Sequence, residues 1–174
     1  MTTSRQRKAY SLSEEIINYS THAAGLIMSL AVCILFLTTC TAAGTPFAGL
    51  AFGLYMFGVV SSYAASVIYH AIPAHKVKAK AIARKFDHAA IFWHIAGSYS
   101  PITLVALREQ GYWGWTLFSF VWLCAIVGTF MSFRKLEEHS HLETICYVLM
   151  GLVVLVAFKP LIDAVSPSAV GWII

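Results

Sequence analysis

Six side chains able to bind a cation or move a proton fall at three places in the first half of the chain: Glu15, Asn18 and His22; Ser66 and His70; and Asp87. Glu15, Asn18 and His22 are spaced by three and four, so on a helix they share one face. Ser62, Ser66 and His70 repeat at intervals of four and share a face in the same way. Asp87 opens an apolar run, FDHAAIFWHIAGSYSP, that also carries His88 and His94. Imidazoles and carboxylates together are ligands for a hard or borderline cation. A catalytic zinc takes three protein ligands and keeps a position for water, whose pKa it lowers to about 7. A neighbouring carboxylate can orient or deprotonate that water. The other reading of the same residues is a metal-free, hydrogen-bonded network that packs helices.

The elements that must position these groups are membrane helices. The 174 residues are 59% hydrophobic and 11% charged, against about 25% charged in a soluble domain, and the apolar residues come in long blocks. The alternating segments of a membrane β-barrel are missing. The expected fold is all-α: a polytopic bundle in one transmembrane domain spanning 1–174. Its helices are predicted at about 17–41, 47–71, 86–107, 112–133 and 142–160, with the start of a sixth at 169–174. Ser11-Leu12-Ser13-Glu14 has capping-box spacing, so the first helix can begin near residue 12. Six apolar residues at the end are too few to cross a bilayer, which predicts a chain cut early in a sixth helix.

Charge sets the expected topology. Residues 1–12 form a basic tail with Arg5, Arg7 and Lys8. Lys76, Lys78, Lys80, Arg84 and Lys85 separate the second and third helices, and Arg134 and Lys135 the fourth and fifth. Arg108 and Lys159 alone lie on the opposite side. The N-terminus is therefore expected in the cytoplasm, in a multi-pass protein of a cell membrane, with short loops suggesting a bacterial cytoplasmic membrane. Helix 1 then begins, helix 2 ends and helix 3 begins at one depth. Glu15, Asn18, His22, Ser66, His70 and Asp87 converge there, in the inner leaflet.

These motifs resemble a known family. Glu15-x2-Asn18-x2-Thr21-His22 is similar to the first signature of the hemolysin III and progestin–adipoQ receptor superfamily. Ser66-x3-His70, followed by Asp87 across a basic stretch, is similar to the second, and FDHAAIFWHIAGSYSPITL resembles the hemolysin III branch. The three spaced motifs occur in order and cover about residues 11–105; the later helices fit by pattern only. The resemblance implies a seven-helix fold of which this chain holds part, with a zinc ion near the cytoplasmic face. It implies that His70 binds the metal, that Asp87 sits against the water there, and that Ser66 lies in the same shell. It also implies two further histidines, H-x3-H, on a seventh helix; no such pair occurs in this sequence, so the Zn2+ ligand set is incomplete. Glu15, Asn18 and His22 are expected as a supporting polar network rather than as ligands.

Other residues carry plainer readings. The net charge of +4 is spread over short loops, so no nucleic-acid partner is expected; the expected partners are membrane lipids. Cys33, Cys40, Cys124 and Cys146 are isolated in apolar runs and lack metal or redox spacing. His88 points about 100° away from Asp87, toward a neighbouring helix or the headgroups. His94 returns to the face of Asp87 about 10 Å deeper and either lines a polar cavity with Ser98 or packs. Glu137, Glu138, His139 and His141 form EEHSH in a wet loop, and His75 lies in a basic loop. Gly49-x3-Gly53 is expected to pack helix 2 within the chain, and Pro101 to bend helix 3.

Two functions follow as expectations. The resemblance suggests a zinc-dependent hydrolase-like site acting on an amide bond in a lipid, of the ceramide type, with Asp87 managing the proton. The alternative is non-enzymatic: membrane permeabilisation, as the hemolysin name implies, or a receptor-like regulator of lipid homeostasis with a structural metal. The outer halves of the helices are apolar, which argues against a simple channel.

Overall fold

The structure, a computed structural model, describes residues 10–39, 44–134 and 141–173. Among these residues every regular element is helical: α1 (Leu12–Thr39), α2 (Ala48–Ala71), α3 (Val77–Pro101), α4 (Trp113–Phe133), α5 (His141–Leu152), α6 (Phe158–Ala164) and α7 (Pro167–Ile173). Five spans are long and apolar enough to cross a bilayer: Leu12–Thr38, Ala48–Ala71, Val77–Ala106, Trp113–Phe133 and Leu142–Ala164. The chain is a polytopic helical membrane protein, as its apolar blocks require.

The capping box forms. The Ser11 amide donates to Glu14 Oε2 at 2.7 Å and the Glu14 amide donates to Ser11 Oγ at 3.3 Å, fixing the start of α1 at Leu12. Glu143, near the start of α5, is buried.

Two boundaries differ from expectation. α3 starts at Val77 rather than near 86, because seven of the nine residues of the basic stretch VKAKAIARK are Ala, Lys or Arg, all good helix formers. Charge density suggested a loop; the backbone propensity made it a helical extension of the span. The fifth span is not one helix. A 3-10 segment, Val153–Ala157, separates α5 from α6, and Pro160 falls in the first turn of α6. Proline has no N–H to give and its ring clashes with the carbonyl four residues back, so an unbroken α-helix through 156–160 is disfavoured. The break is repaired from α3. The Tyr99 hydroxyl accepts from the Val154 amide at 3.0 Å and faces the carbonyls of Met150 and Gly151, each at 2.9 Å.

Pro101 ends α3 in a π-helical segment, Ile102–Ala106, where the Leu107 amide donates to the Ile102 carbonyl at 2.8 Å. Hydroxyls bond back along this stretch, Ser100 Oγ to the Ala96 carbonyl and Thr103 Oγ1 to the Tyr99 carbonyl, keeping polar atoms satisfied in an apolar setting.

α3 is the central helix. Phe92, Ala96 and Tyr99 meet Val121 and Ala125 of α4 and Met150 of α5 in one buried cluster. On its other side α3 crosses α2 closely. A Cβ on Gly97 would lie 2.7 Å from the Leu54 carbonyl oxygen, and one on Gly58 would lie 2.5 Å from that of Trp93. These glycines, not Gly49 and Gly53, make the tight contact; a Cβ on either of the latter meets nothing within 4 Å. The GxxxG spacing was present, but on a face of α2 with no described neighbour. α1 packs chiefly on α2 and is the least buried span.

Candidate functional site

The site forms where α1 begins, α2 ends and α3 begins. His70, in the last turn of α2, has its Nδ1 2.6 Å from Glu15 Oε2 on α1. A carboxylate only accepts, so Nδ1 carries the proton and donates. The other carboxylate oxygen, Glu15 Oε1, accepts from Lys80 Nζ of α3 at 2.8 Å. Lys80 owes this reach to the early start of α3. Its ammonium also donates to the carbonyls of Tyr69 (3.2 Å) and Ile72 (2.9 Å), which end α2, and it lies 4.8 Å from the centre of the Tyr69 ring. Three acceptors saturate its three donors, so one cation ties three helices. The side chains are largely enclosed: 8% exposed for His70 and 16% each for Glu15 and Lys80.

His22, two turns up α1 from Glu15, places its ring 6.2 Å from that of His70 at a tilt of 31°. Its Nδ1 lies 2.8 Å from the Asn18 carbonyl and donates to it, by the same argument. Asn18 therefore enters through its backbone, not its amide. Tyr63 of α2 stands against the other side of His22 at 6.0 Å, and His94 of α3 stands 6.0 Å beyond Tyr63. Tyr63 can come this close because α1 has Gly25 there; a Cβ at that position would lie 2.5 Å from the phenol ring.

Two cavities flank the cluster. One, of about 530 Å³, is lined by Tyr10, Leu12, Ile16, Ile72 and Pro73, with Glu15, His70 and Lys80 as its polar wall. The second, of about 210 Å³, is lined by Met28, Val32, Met56 and Val59, with Tyr63 and His94. His94 thus lines a largely apolar cavity. Ser98 is not in its wall; its hydroxyl bonds to the His94 carbonyl at 2.9 Å.

Ser66 is buried one turn before His70, and Asp87 is half-buried on α3. Among the described residues neither makes a hydrogen bond or ion pair to His70 or Glu15. Asp87 lies within electrostatic reach of the Tyr147 phenol on α5. Among the described residues no three His, Cys, Asp or Glu side chains form a group that could hold a metal. The donor chemistry fits a borderline cation in part. His70 and His22 each have Nδ1–H tied to an acceptor, leaving Nε2 for a ligand role, and metal-binding histidines are held in just this way.

A second carboxylate–imidazole pair lies at the same end of the bundle. His88 Nδ1 is 2.8 Å from Glu143 Oε2 of α5, and Ser132 Oγ of α4 donates to Glu143 Oε1 at 2.9 Å. The Tyr147 hydroxyl donates to the His88 carbonyl at 2.9 Å. His88 faces a neighbouring helix, one of the two placements its 100° offset from Asp87 allowed. Glu143 is the residue that sequence reasoning missed. Its signal was a lone acid inside an apolar span, a costly placement that demands a partner. The nearby EEHSH run offered a more conspicuous cluster; residues 137–140 and the His141 side chain lie outside the described residues. The order hydroxyl–carboxylate–imidazole is not that of a nucleophilic triad, because Ser132 and His88 bond the carboxylate and not each other.

The comparisons agree with this architecture. The chain is 34% identical over 163 residues to "Hemolysin-3" of Bacillus cereus, covering 94% of this chain and 73% of that protein. It is 31% identical over 157 residues to "Hemolysin-3 homolog" of Bacillus subtilis (strain 168), covering 90% and 72%. It is 29% identical over 101 residues to human "Monocyte to macrophage differentiation factor", covering 56% and 42%. No solved structure matches. The family model described as "Haemolysin-III related" matches residues 10–174, which contain every group of both carboxylate–imidazole pairs, and the chain belongs to that family.

Proposed function

We propose that this membrane protein acts on a lipid at its basic end, with its N-terminus in the cytoplasm, as a zinc-dependent lipid amide hydrolase. The observation that supports this most is the cavity of about 530 Å³ with apolar walls and a Glu15–His70–Lys80 polar edge. An apolar wall suits acyl chains, and a polar edge suits a headgroup amide. His70 would hold the metal through Nε2, its tautomer fixed by Glu15, which Lys80 holds in turn. Zinc bound there would supply positive charge to polarise the scissile carbonyl. Asp87, the residue the resemblance assigns to this role, would take the proton of the attacking water and return it to the leaving amine. The resemblance puts Ser66, buried one turn before His70, in the same shell.

Fatty acid released from a short-chain ceramide by the protein in vesicles tests the reading. Release that needs zinc and falls at least a hundredfold in Asp87→Ala supports it; zinc-independent release, or none, sinks it. The second reading, permeabilisation, is favoured by one observation: Lys80 already neutralises Glu15 without a metal. The relatives' printed name, Hemolysin-3, points the same way. Dye leakage from the same vesicles without amide cleavage would establish that reading instead.

A further inference from the structure

We propose that the junction of α3 and α4 at the basic end of the bundle is a binding site for a phospholipid with an anionic headgroup. Lys85 and Arg134 take the phosphate, Lys78 adds charge above them, and Phe86, Phe130 and Phe133 meet the acyl chains. Lys85 lies about 140° around α3 from Lys80, so this site is separate from the cavity edged by Glu15, His70 and Lys80 and independent of the function proposed for it.

The first observation is which cations are neutralised. Arg108 and Lys159, at the opposite end, pair with Glu109 and Asp163 of their own segments. At the basic end Lys80 pairs with Glu15. Lys78, Lys85 and Arg134 form no ion pair among the described residues. Two carboxylates at that end are engaged elsewhere, Glu15 by His70 and Lys80 and Glu143 by His88 and Ser132. Asp87 lies about 200° around the helix from Lys85. Anionic headgroups at the membrane surface are the charge that complements these three cations.

The second observation is how they are assembled. Lys85 Nζ donates to the Phe133 carbonyl at 3.1 Å. This holds the ammonium against the last turn of α4, beside Arg134, with two of its three N–H groups left over. Arg134 and Lys78 are exposed. The rings of Phe86 and Phe133 meet edge to face, 4.9 Å apart, and both remain exposed, as does Phe130 one turn further along α4 into the bilayer. The third is depth. Val77–Ala106 is 30 residues, about 45 Å of helix, against a hydrocarbon core of about 30 Å. Its far end is apolar to Ala106, so the excess of about 15 Å falls at the basic end. Lys85, about 12 Å from the start of α3, comes at the border of the core, and Lys78 about 10 Å further out, among headgroups. Charge thus stands over exposed rings, the order of phosphate over acyl chain. A soluble anion would use the cations and leave the rings without a role.

The full chain in detergent, titrated with phosphatidylglycerol or with phosphatidylcholine of the same acyl chains, tests this by native mass spectrometry. At about fivefold for each cation near the phosphate, wild type should prefer phosphatidylglycerol by at least about twentyfold. Lys85→Gln with Arg134→Gln should bring the two lipids within about threefold of each other. Arg108→Gln with Lys159→Gln, an equal loss of charge at the other end, should leave the preference intact. Should the Lys85 variant fail to fold, Arg134→Gln alone decides, because its side chain is exposed and unpaired among the described residues; it should cost about fivefold. Equal binding of the two lipids by wild type overturns the proposal. So does a preference that survives Lys85→Gln with Arg134→Gln, or one lost as much in the Arg108 and Lys159 variant. Glycerol phosphate at the lipid's concentration should displace nothing; displacement would make this a site for a soluble anion and overturn the lipid assignment.

Discussion

Two glutamate–histidine pairs, each joining residues 55 apart in the chain, sit at the same end of the bundle and have opposite characters. In the first, Glu15 stands between His70 and Lys80 and edges a cavity of about 530 Å³. In the second, Glu143 stands between His88 and the Ser132 hydroxyl. The first carboxylate has the Lys80 ammonium beside it and open space; the second has an imidazole and a hydroxyl. A carboxylate within a membrane span must find donors either way. What differs is what remains afterwards. His70 lines a cavity of about 530 Å³, whereas the Glu143 carboxylate is tied to His88 of α3 and Ser132 of α4. One pair has the form of a site and the other that of a fastener.

The comparison breaks most severely at the α2–α3 crossing. Gly97→Leu places a side chain where even a Cβ meets the Leu54 carbonyl at 2.7 Å. We expect about 3 kcal/mol lost, the upper end of overpacking costs, read as SDS-induced unfolding in bicelles. Because α2 moves against α3, histidine-selective 15N NMR should lose the Nδ1–H signal of His70 and keep that of His88. Loss of both would mean that the two pairs are not independent. Glu143→Ala comes next. It strips His88 and Ser132 of their shared acceptor in a buried place, for about 2 kcal/mol, and should leave zinc affinity within a factor of two. A large fall in zinc affinity would show the second pair to be part of the site.

Lys80→Met should cost less, about 1 kcal/mol, because water at the membrane surface can replace its ammonium at the Tyr69 and Ile72 carbonyls. Its sharper effect is on orientation. Glu15 loses one of its two partners, so the His70 Nδ1–H signal should broaden while that of His88 is unchanged. An unaltered His70 signal would mean that Glu15 needs no help from α3.

Much of this was legible in the sequence. Spacings of three and four put Glu15 and His22 on one face, cation counts put three helix ends at one depth, and apolar blocks set five spans. Three things were not. Lys80 looked like loop charge, because alanine-rich helix propensity and lysine density pull a reader in opposite directions, and only the helical start at Val77 brings its ammonium to Glu15. The crossing glycines were overlooked because Gly58 and Gly97 lie on different helices, whereas Gly49 and Gly53 advertise themselves by local spacing. Glu143 was missed because its partners come from α3 and α4, and no pattern within α5 announces them. Each failure concerns a contact between segments distant in the chain, which periodicity cannot encode.

The finest test of the fastener is Ser132→Ala. Its hydroxyl donates to Glu143 at 2.9 Å and also lies 3.1 Å from the Gly128 carbonyl one turn back. A hydroxyl has one proton, so the two acceptors share it, and the carboxylate, being charged, takes the stronger bond. Removing the hydroxyl leaves Glu143 with His88, and leaves the Gly128 carbonyl with its helical partner. The expected cost is about 0.5 kcal/mol, near the average for polar contacts between membrane helices. His88 should then hold the carboxylate alone, so Glu143→Ala made on top of Ser132→Ala should cost less than Glu143→Ala made in the wild type, by roughly the same 0.5 kcal/mol. Strict additivity would show that Ser132 and Glu143 do not interact in the membrane, and the second pair would then be an imidazole and a carboxylate with nothing from α4 to hold them.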